Sequence, residues 1–435
     1  MQILARAIQL TAMDSEIADH FDRSVAVLVL NFGEYPFLHG TLGIIRSLGR
    51  LGIPVFAVQR HPSLPSGASR YLSGRFLWEA DGRNTDQFLE GMARIGKILD
   101  RPTILVPADD FSAILIAENA DALAPWFMFV RQPRTLPRTL ANKRNLYHLC
   151  KELGVSCPPT VFPQTREELR DVAERMQFPV FAKVTEPWLL PKAFKSVSIV
   201  SRRQDLIEYY DQFAQQQSIT TLMIQEMIFA SGSEDWIVHG YCDGDSKPIV
   251  LFTGIKLRSY PVFAGPTTLA RSVRNDALQK QAIELFSAIG YRGIMDIDFR
   301  LDGRTGCFNL LDFNPRVGAQ FRLFSTDHGI DVVRALHLDL TGRPAVGGQP
   351  VEGRTFMQDI QDVIASYGCY RRGSLTVTDW LRSLRGVTER AWYAADDPFP
   401  FVLMCLRMPV RAVSRKLGLN DSEETGEAQP RLISR

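Results

Sequence analysis

The sequence predicts an α/β and α+β protein: an N-terminal parallel-sheet domain, a middle region of strands and helices, and a helical C-terminal extension. Three observations predict it. A continuous apolar run, VAVLVLNFG (Val25 to Gly33), is followed by a helical pattern through Thr41 to Gly52 and a second apolar run, PVFAVQ, which describes a βαβ unit. Farther along, IMDIDFRL (Ile294 to Leu301) and LLDFN (Leu310 to Asn314) flank the turn-type DGRTG and read as a β-hairpin. Past about Leu340 a Gly- and Pro-rich stretch, TGRPAVGGQP, marks a linker before helical patterns. The expected divisions are 24–136, 137–340, 341–418 and a disordered tail over 419–435.

A chain of 435 residues is long enough for two or three cored domains. Its 45% hydrophobic and 23% charged content is that of an ordinary globular protein, and a formal charge of +2 gives nucleic acid no claim as partner. The six cysteines are scattered without a CxxC, so neither zinc nor a disulfide framework is indicated and a cytoplasmic setting fits. Neither GxGxxG after the first strand nor GxxxxGK[ST] occurs, which argues against dinucleotide dehydrogenases and P-loop enzymes.

Within the first domain, TILVPADD (Thr103 to Asp110) is a strand ending in a polar tip, where open α/β sheets place ligands. The second region opens with NKRNLYHLCKELG, a helix stopped by Gly154. FPVFAKV follows as a buried strand that carries Lys183, a residue needing an anionic partner if it is not to snorkel to solvent. LMIQEMI (Leu222 to Ile228) is another strand, and WIVHGYCDGDSKPIVLFTGIKLR reads as antiparallel strands around CDGDSK. The segment FPFVLMCLRMPVRAVSRKLG (399–418) is apolar with interspersed Arg and Lys. A helix packed on the body is the favoured reading and peripheral membrane contact the other, while Pro409 and the charges exclude a spanning helix.

The hairpin carries the chemistry. Asp312, Asn314 and Arg316 recur at every second position and so share one face of an extended strand. Folding about the turn brings Asp296 or Asp298 opposite Asp312, giving hard oxygen donors suited to Mg²⁺. A buried Asp–Arg pair without metal would also account for burial of Asp312.

Four landmarks in order, NKRNLYHLCKELGVSCPPT, FPVFAKV, MIQEMI before SGSEDW, and DIDFR with LLDFNPR, resemble the ATP-grasp superfamily of carboxylate-amine ligases. DFNPRVGAQFRLF looks most like its D-aspartate ligase-like branch. The resemblance covers about Val25 to Leu340 and implies a pre-ATP-grasp domain followed by a two-lobed ATP-grasp domain that binds ATP and Mg²⁺. It implies that Lys143 and Lys183 meet ATP phosphates, that Glu226, Met227 and Ile228 form the adenine hinge, and that Glu234 or Asp235 holds the ribose. It further implies Asp298, Asp312 and Asn314 as metal ligands and Arg316 as the catalytic arginine, with Lys256 and Arg258 on the substrate side.

The chain departs from the family in having Asp312 where most relatives have Glu, and in the glycine-free loop TEPWLLPKAFKS, where Lys192, Lys195 and Ser196 could meet phosphate. The implied reaction activates a carboxylate, that of an amino acid, as an acyl phosphate and joins it to an amine. The partners are then a small-molecule acid and amine, and no oligomeric state is set. A small-molecule kinase of the same fold and a non-catalytic nucleotide-binding partner protein are the alternatives.

Overall fold

The structure is a computed structural model that describes residues 14, 16–32, 39–79, 84–186, 197–215, 221–229, 231–262, 265–416 and 429–434. The loop lysines Lys192 and Lys195, with Ser196, lie outside the described residues. Three sheets build the molecule.

The first sheet runs β16-β3-β2-β1-β4, with β1 (Ala26–Leu30), β2 (Val55–Gln59), β3 (Gly74–Leu77) and β4 (Thr103–Pro107) parallel. Every residue of β1 is buried because helices cover both faces of a parallel sheet, which explains its unbroken apolar run. β16 (Arg431–Ser434) adds to the β3 edge antiparallel. Within the tail expected to be disordered over 419–435, the described residues 431–434 thus form a strand: Leu432 packs on the core with Phe56 and Phe76, an apolar anchor that a composition-based reading overlooks, while 419–428 lie outside the described residues.

The second sheet, β5-β8-β6-β7, comprises β5 (Thr160–Val161), β6 (Val180–Val184), β7 (Val197–Val200) and β8 (Leu222–Glu226), all antiparallel. The helices Arg166–Arg175 and Arg203–Ala214 cover one face, closing a small core around Leu169, Val180, Ala182 and Leu206.

The third sheet has seven strands in the order β13-β12-β9-β10-β11-β14-β15. β9 (Glu234–Cys242) and β10 (Pro248–Ser259) form the expected hairpin, β11 (Thr267–Ser272) follows, and β12 (Gly293–Leu301) pairs with β13 (Phe308–Asn314). The region past 341, expected to be helical, also supplies β14 (Thr355–Met357) and β15 (Glu389–Arg390), which finish the sheet. The helix Asp276–Ile289, started by the Asn275 cap and stopped at Gly290 (φ 62°), packs Leu278, Leu285 and Phe286 on one face. Phe313 lies fully buried there, 5.0 Å from the Tyr291 ring.

The C-terminal segment returns to the first domain. Arg46, with no exposed surface, donates through Nε to Asp397 at 2.9 Å, and Arg50 makes two bonds to Asp396. The helix Phe399–Lys416 buries Met404, and Arg407 donates to the Ser63 carbonyl, which fits the packed reading of that segment. Among the described residues no helix is long and apolar enough to cross a membrane. All six cysteines are free.

Candidate active site

Strand alternation on β12 sends Met295, Ile297 and Phe299 into the core and Asp296, Asp298 and Arg300 to the opposite face. β13 would be out of phase, since Leu310 also points into the core and Asp312 lies two residues later. A bulge resolves this: Asp298 pairs with Asp312 but Phe299 pairs with Leu310, leaving Leu311 as the extra residue. Past the bulge Phe313 takes the core side, and Asp312 and Asn314 join the polar face. The register fixes Asp298 opposite Asp312, and Asp296 opposite Asn314.

Each carboxylate of the facing pair meets a lysine. Asp312 accepts from Lys143 Nζ through both oxygens at 2.9 Å, and Lys256 Nζ lies 2.7 Å from Asp298 Oδ2. Burial raises the Asp298 carboxyl, against the opposing pull of Lys256. At Asp312 burial pushes the same way as the largest single influence, yet the charge and hydrogen bonds of Lys143, with the charges of Lys183 and Arg316, together hold the carboxyl below the usual range. Asp298 Oδ1 is buried without a hydrogen-bond partner. Asn314 Nδ2 donates to the Asp296 carbonyl at 3.0 Å, which turns the amide oxygen away from that carbonyl.

Lys143 begins the helix Lys143–Leu153. Asn142 caps this helix by accepting from the Arg144 and Asn145 amides, and the Lys143 amide donates to the Thr185 carbonyl just past β6. On β6 itself Val180, Ala182 and Val184 enter the small core, so Lys183 stands on the other face. There it donates to Gln225 Oε1 at 2.7 Å and lies 4.9 Å from the Phe181 ring centroid. Burial, then the neighbouring Lys143 charge, lowers its ammonium to about 8.

Of the expected hinge residues, Glu226 ends β8 and Met227 and Ile228 follow it. The Glu226 amide donates to the Pro159 carbonyl, and the Ile228 carbonyl accepts from Arg300 Nη2 at 3.0 Å. Arg300 also pairs with Asp235 at 2.8 Å, while the exposed Glu234 accepts from the Trp236 indole at 3.1 Å. The two candidate ribose acids therefore differ: Asp235 is tied to the sheet face and Glu234 looks outward.

Arg316 donates through Nη1 to Asp296 Oδ2 at 2.7 Å, and its Nε lies 3.3 Å from Asp110 Oδ1. Burial works against its charge, but Asp110 and Asp296 together raise the guanidinium above its ordinary value. His239, fully buried on β9, places Nε2 2.7 Å from the other Asp296 oxygen. A Cβ at Gly318 would stand 2.2 Å from His239 Cε1 and 2.7 Å from Asp296 Cγ, so only glycine fits where the chain passes this cluster.

Arg258 departs from its expected place on the substrate side. Its Nε and Nη2 donate to Asp362 at 2.8 and 2.7 Å, and Nη2 donates to Ser383 Oγ at 3.0 Å. A bulge between Lys256 and Arg258 separates the two side chains: Lys256 stays with Asp298 and Arg258 pins the C-terminal helices.

Three residues of the cluster were not singled out as site residues in the sequence: Asp110, His239 and Gln225. Asp110 follows the polar tip of β4 and carries a carboxyl raised by burial to about 6. A signal existed for it in PADD; His239 and Gln225 each sit singly in apolar strands with no local mark.

An N-terminal parallel sheet followed by two largely antiparallel sheets, with Lys183 on the smaller and the facing Asp298 and Asp312 on the larger, is the arrangement of the ATP-grasp fold. The comparisons show a chain similar to ATP-grasp carboxylate-amine ligases. The ATP-binding domain of the carbamoyl-phosphate synthase L chain matches residues 259–339. D-aspartate ligase of Enterococcus faecium (strain Aus0004) is 22% identical over 260 residues, which span 57% of this chain and 62% of that protein. The carbamoyl phosphate synthase large chain of Thermomicrobium roseum is 27% identical over 222 residues, 49% of this chain and 19% of that one. The chain thus spans less than two thirds of the length of these relatives.

Among solved structures, the L-amino acid ligase from Bacillus licheniformis superposes with a TM-score of 0.55 at 15% identity, covering 76% of this chain and 75% of that one. N5-carboxyaminoimidazole synthetase from Staphylococcus aureus complexed with ADP gives 0.56 at 10% identity, covering 77% and 82%.

Proposed function

We propose that the protein is an ATP- and Mg²⁺-dependent ligase that activates the carboxylate of an amino acid as an acyl phosphate and joins it to an amine, releasing ADP and phosphate. The observation that carries this reading is the facing pair Asp298 and Asp312, with Lys143, Lys183 and Arg316 converging on the same polar face.

The residues fit a magnesium ion. Asp298 Oδ1 is an unpartnered buried oxygen, Asp312 meets only an ammonium, and Asn314 adds an amide oxygen, all hard donors. Among the described residues no three His, Cys, Asp or Glu side chains could enclose a metal by themselves. Two carboxylates completed by phosphate oxygens is the usual magnesium arrangement in nucleotide sites. Held there, Mg²⁺ supplies charge neutralisation for the transferring phosphoryl group.

The chain's own groups do the rest. Lys143 and Lys183 orient the phosphates, Glu226, Met227 and Ile228 line the adenine side, and Asp235 or Glu234 receives the ribose. Arg316, fixed by Asp296 and kept fully charged, steadies the oxyanion that forms when the amine attacks. Lys256 serves the substrate side beside Asp298; Arg258 has no part in it. The E. faecium relative and the B. licheniformis neighbour, named as amino-acid ligases, support an amino acid as the activated acid.

The test is ADP release across a panel of amino acids, with and without an amine, and with hydroxylamine to trap acyl phosphate. Hydroxamate formation, and ADP release that needs both acid and amine, is expected. ADP formed at full rate from an acid alone, with no hydroxamate, would replace the ligase by a kinase.

A further inference from the structure

The helices Gln361–Arg371 and Val377–Leu384 carry apolar residues that stand exposed among the described residues. The first exposes Val363, Tyr367 and Tyr370, spaced four and three residues apart and therefore one stripe. The second buries none of its eight residues and exposes Val377 and Leu381 at helical spacing. An amphipathic helix in a globular protein ordinarily turns such a stripe to the core. Here the opposite sides are the anchored ones: Asp362 of the first helix and Ser383 of the second are both held by Arg258.

The charge around this stripe is net positive. Arg371, Arg372, Arg382 and Arg385 are exposed on the same two helices and their turn. The acids of 361–385 are Asp362, buried against Arg258, and Asp379, which pairs with Arg382. A second copy is a poor occupant, because a two-fold contact lays the patch on itself and sets arginine against arginine. Tyrosine bodies with wet hydroxyls, aliphatic side chains and flanking arginines are what an anionic lipid surface receives.

We infer that the pair of helices Gln361–Arg371 and Val377–Leu384 is a docking surface for an anionic bilayer. Two structural links join it to the cleft. Arg258 lies two residues from Lys256 on β10, and Gly368 stands against Val262 in the segment after that strand. The inference does not depend on the ligase reading.

The experiment is co-sedimentation of the full chain with phosphatidylcholine vesicles, with and without about 30% phosphatidylglycerol. Binding is expected only with the anionic lipid, and it should fall steeply between about 0.1 M and about 0.5 M salt. Tyr367→Asp with Leu381→Asp should lower partitioning by at least about tenfold. Arg371→Gln with Arg372→Gln and Arg385→Gln should weaken it while leaving the apolar stripe intact. All these side chains are exposed, and unchanged circular dichroism in the variants keeps folding out of the result.

Absence of wild-type binding overturns the inference. So does binding that survives both sets of substitutions, which would assign contact to the outward row Phe399, Val402 and Leu406 instead. A wild-type dimer that the aspartate substitutions convert to a monomer, without lipid binding, would make the face a contact between copies and overturn it equally.

Discussion

Asp312 grips Lys143 through both carboxylate oxygens, each 2.9 Å from the ammonium, so the strand with the magnesium-type oxygens is latched to the start of the helix Lys143–Leu153. The same carboxylate faces Asp298 across the hairpin. Removing it loses one attraction and relieves one repulsion. Asp312→Asn should therefore leave stability within about 1 kcal/mol. Turnover should fall by about two orders of magnitude or more, as expected when a metal ligand is lost. Melting curves and steady-state rates on the purified variant check both halves, and full activity would remove Asp312 from the metal set.

Lys183 supplies a pH prediction. Its ammonium is lowered to about 8, so the side chain is cationic below that value and neutral above it. Triphosphate binding draws on the cation, and ATP affinity should decline as pH rises from about 7 to about 9. Lys183→Arg should flatten that decline, and Lys183→Ala should weaken binding about tenfold or more at neutral pH. Calorimetric ATP titrations at both pH values decide it; an affinity that ignores pH and substitution alike contradicts the assignment.

The cluster of His239, Asp296 and Arg316 should show itself in stability. Asp296 has a 7% exposed side chain, and its carboxyl is held below the ordinary range because the His239 and Arg316 charges outweigh burial. Asp296→Ala leaves two buried basic groups without their shared acceptor and should cost about 3–5 kcal/mol. Gly318→Ala places a methyl against His239 and should cost about 1–3 kcal/mol. Urea unfolding measures both.

Arg258 separates a structural role from a binding role. Its partner Asp362 is 1% exposed, so Arg258→Met strands a buried carboxylate and should destabilise by about 3–5 kcal/mol. KM for the acid substrate should be unchanged in the folded fraction. A raised KM with normal stability would return Arg258 to the substrate side.

The sequence reveals what strand periodicity encodes locally. The hairpin with Asp298, Asp312 and Asn314 follows from alternation within short windows, and the lysine on β6 and the βαβ entry into the first sheet follow from continuous apolar runs. Contacts made by register between distant strands are not encoded that way. His239 reaches Asp296 because β9 lies beside β12, and Asp110 reaches Arg316 from beyond the end of β4 in another sheet. Arg258 looked like a cleft residue because its partner lies 104 positions onward. The bulge at Leu311 was also invisible, although it is what lets Asp312 and Phe313 face opposite ways.

The bonds from Arg46 and Arg50 to Asp397 and Asp396 cross about 350 positions of sequence and lie largely out of water. A fragment cut after Leu340 would keep both arginines and forfeit both acids, and it would bare the apolar surface that Trp392 and Met404 cover. Dissection into stand-alone pieces should accordingly yield aggregates, and the whole chain should melt in a single cooperative step.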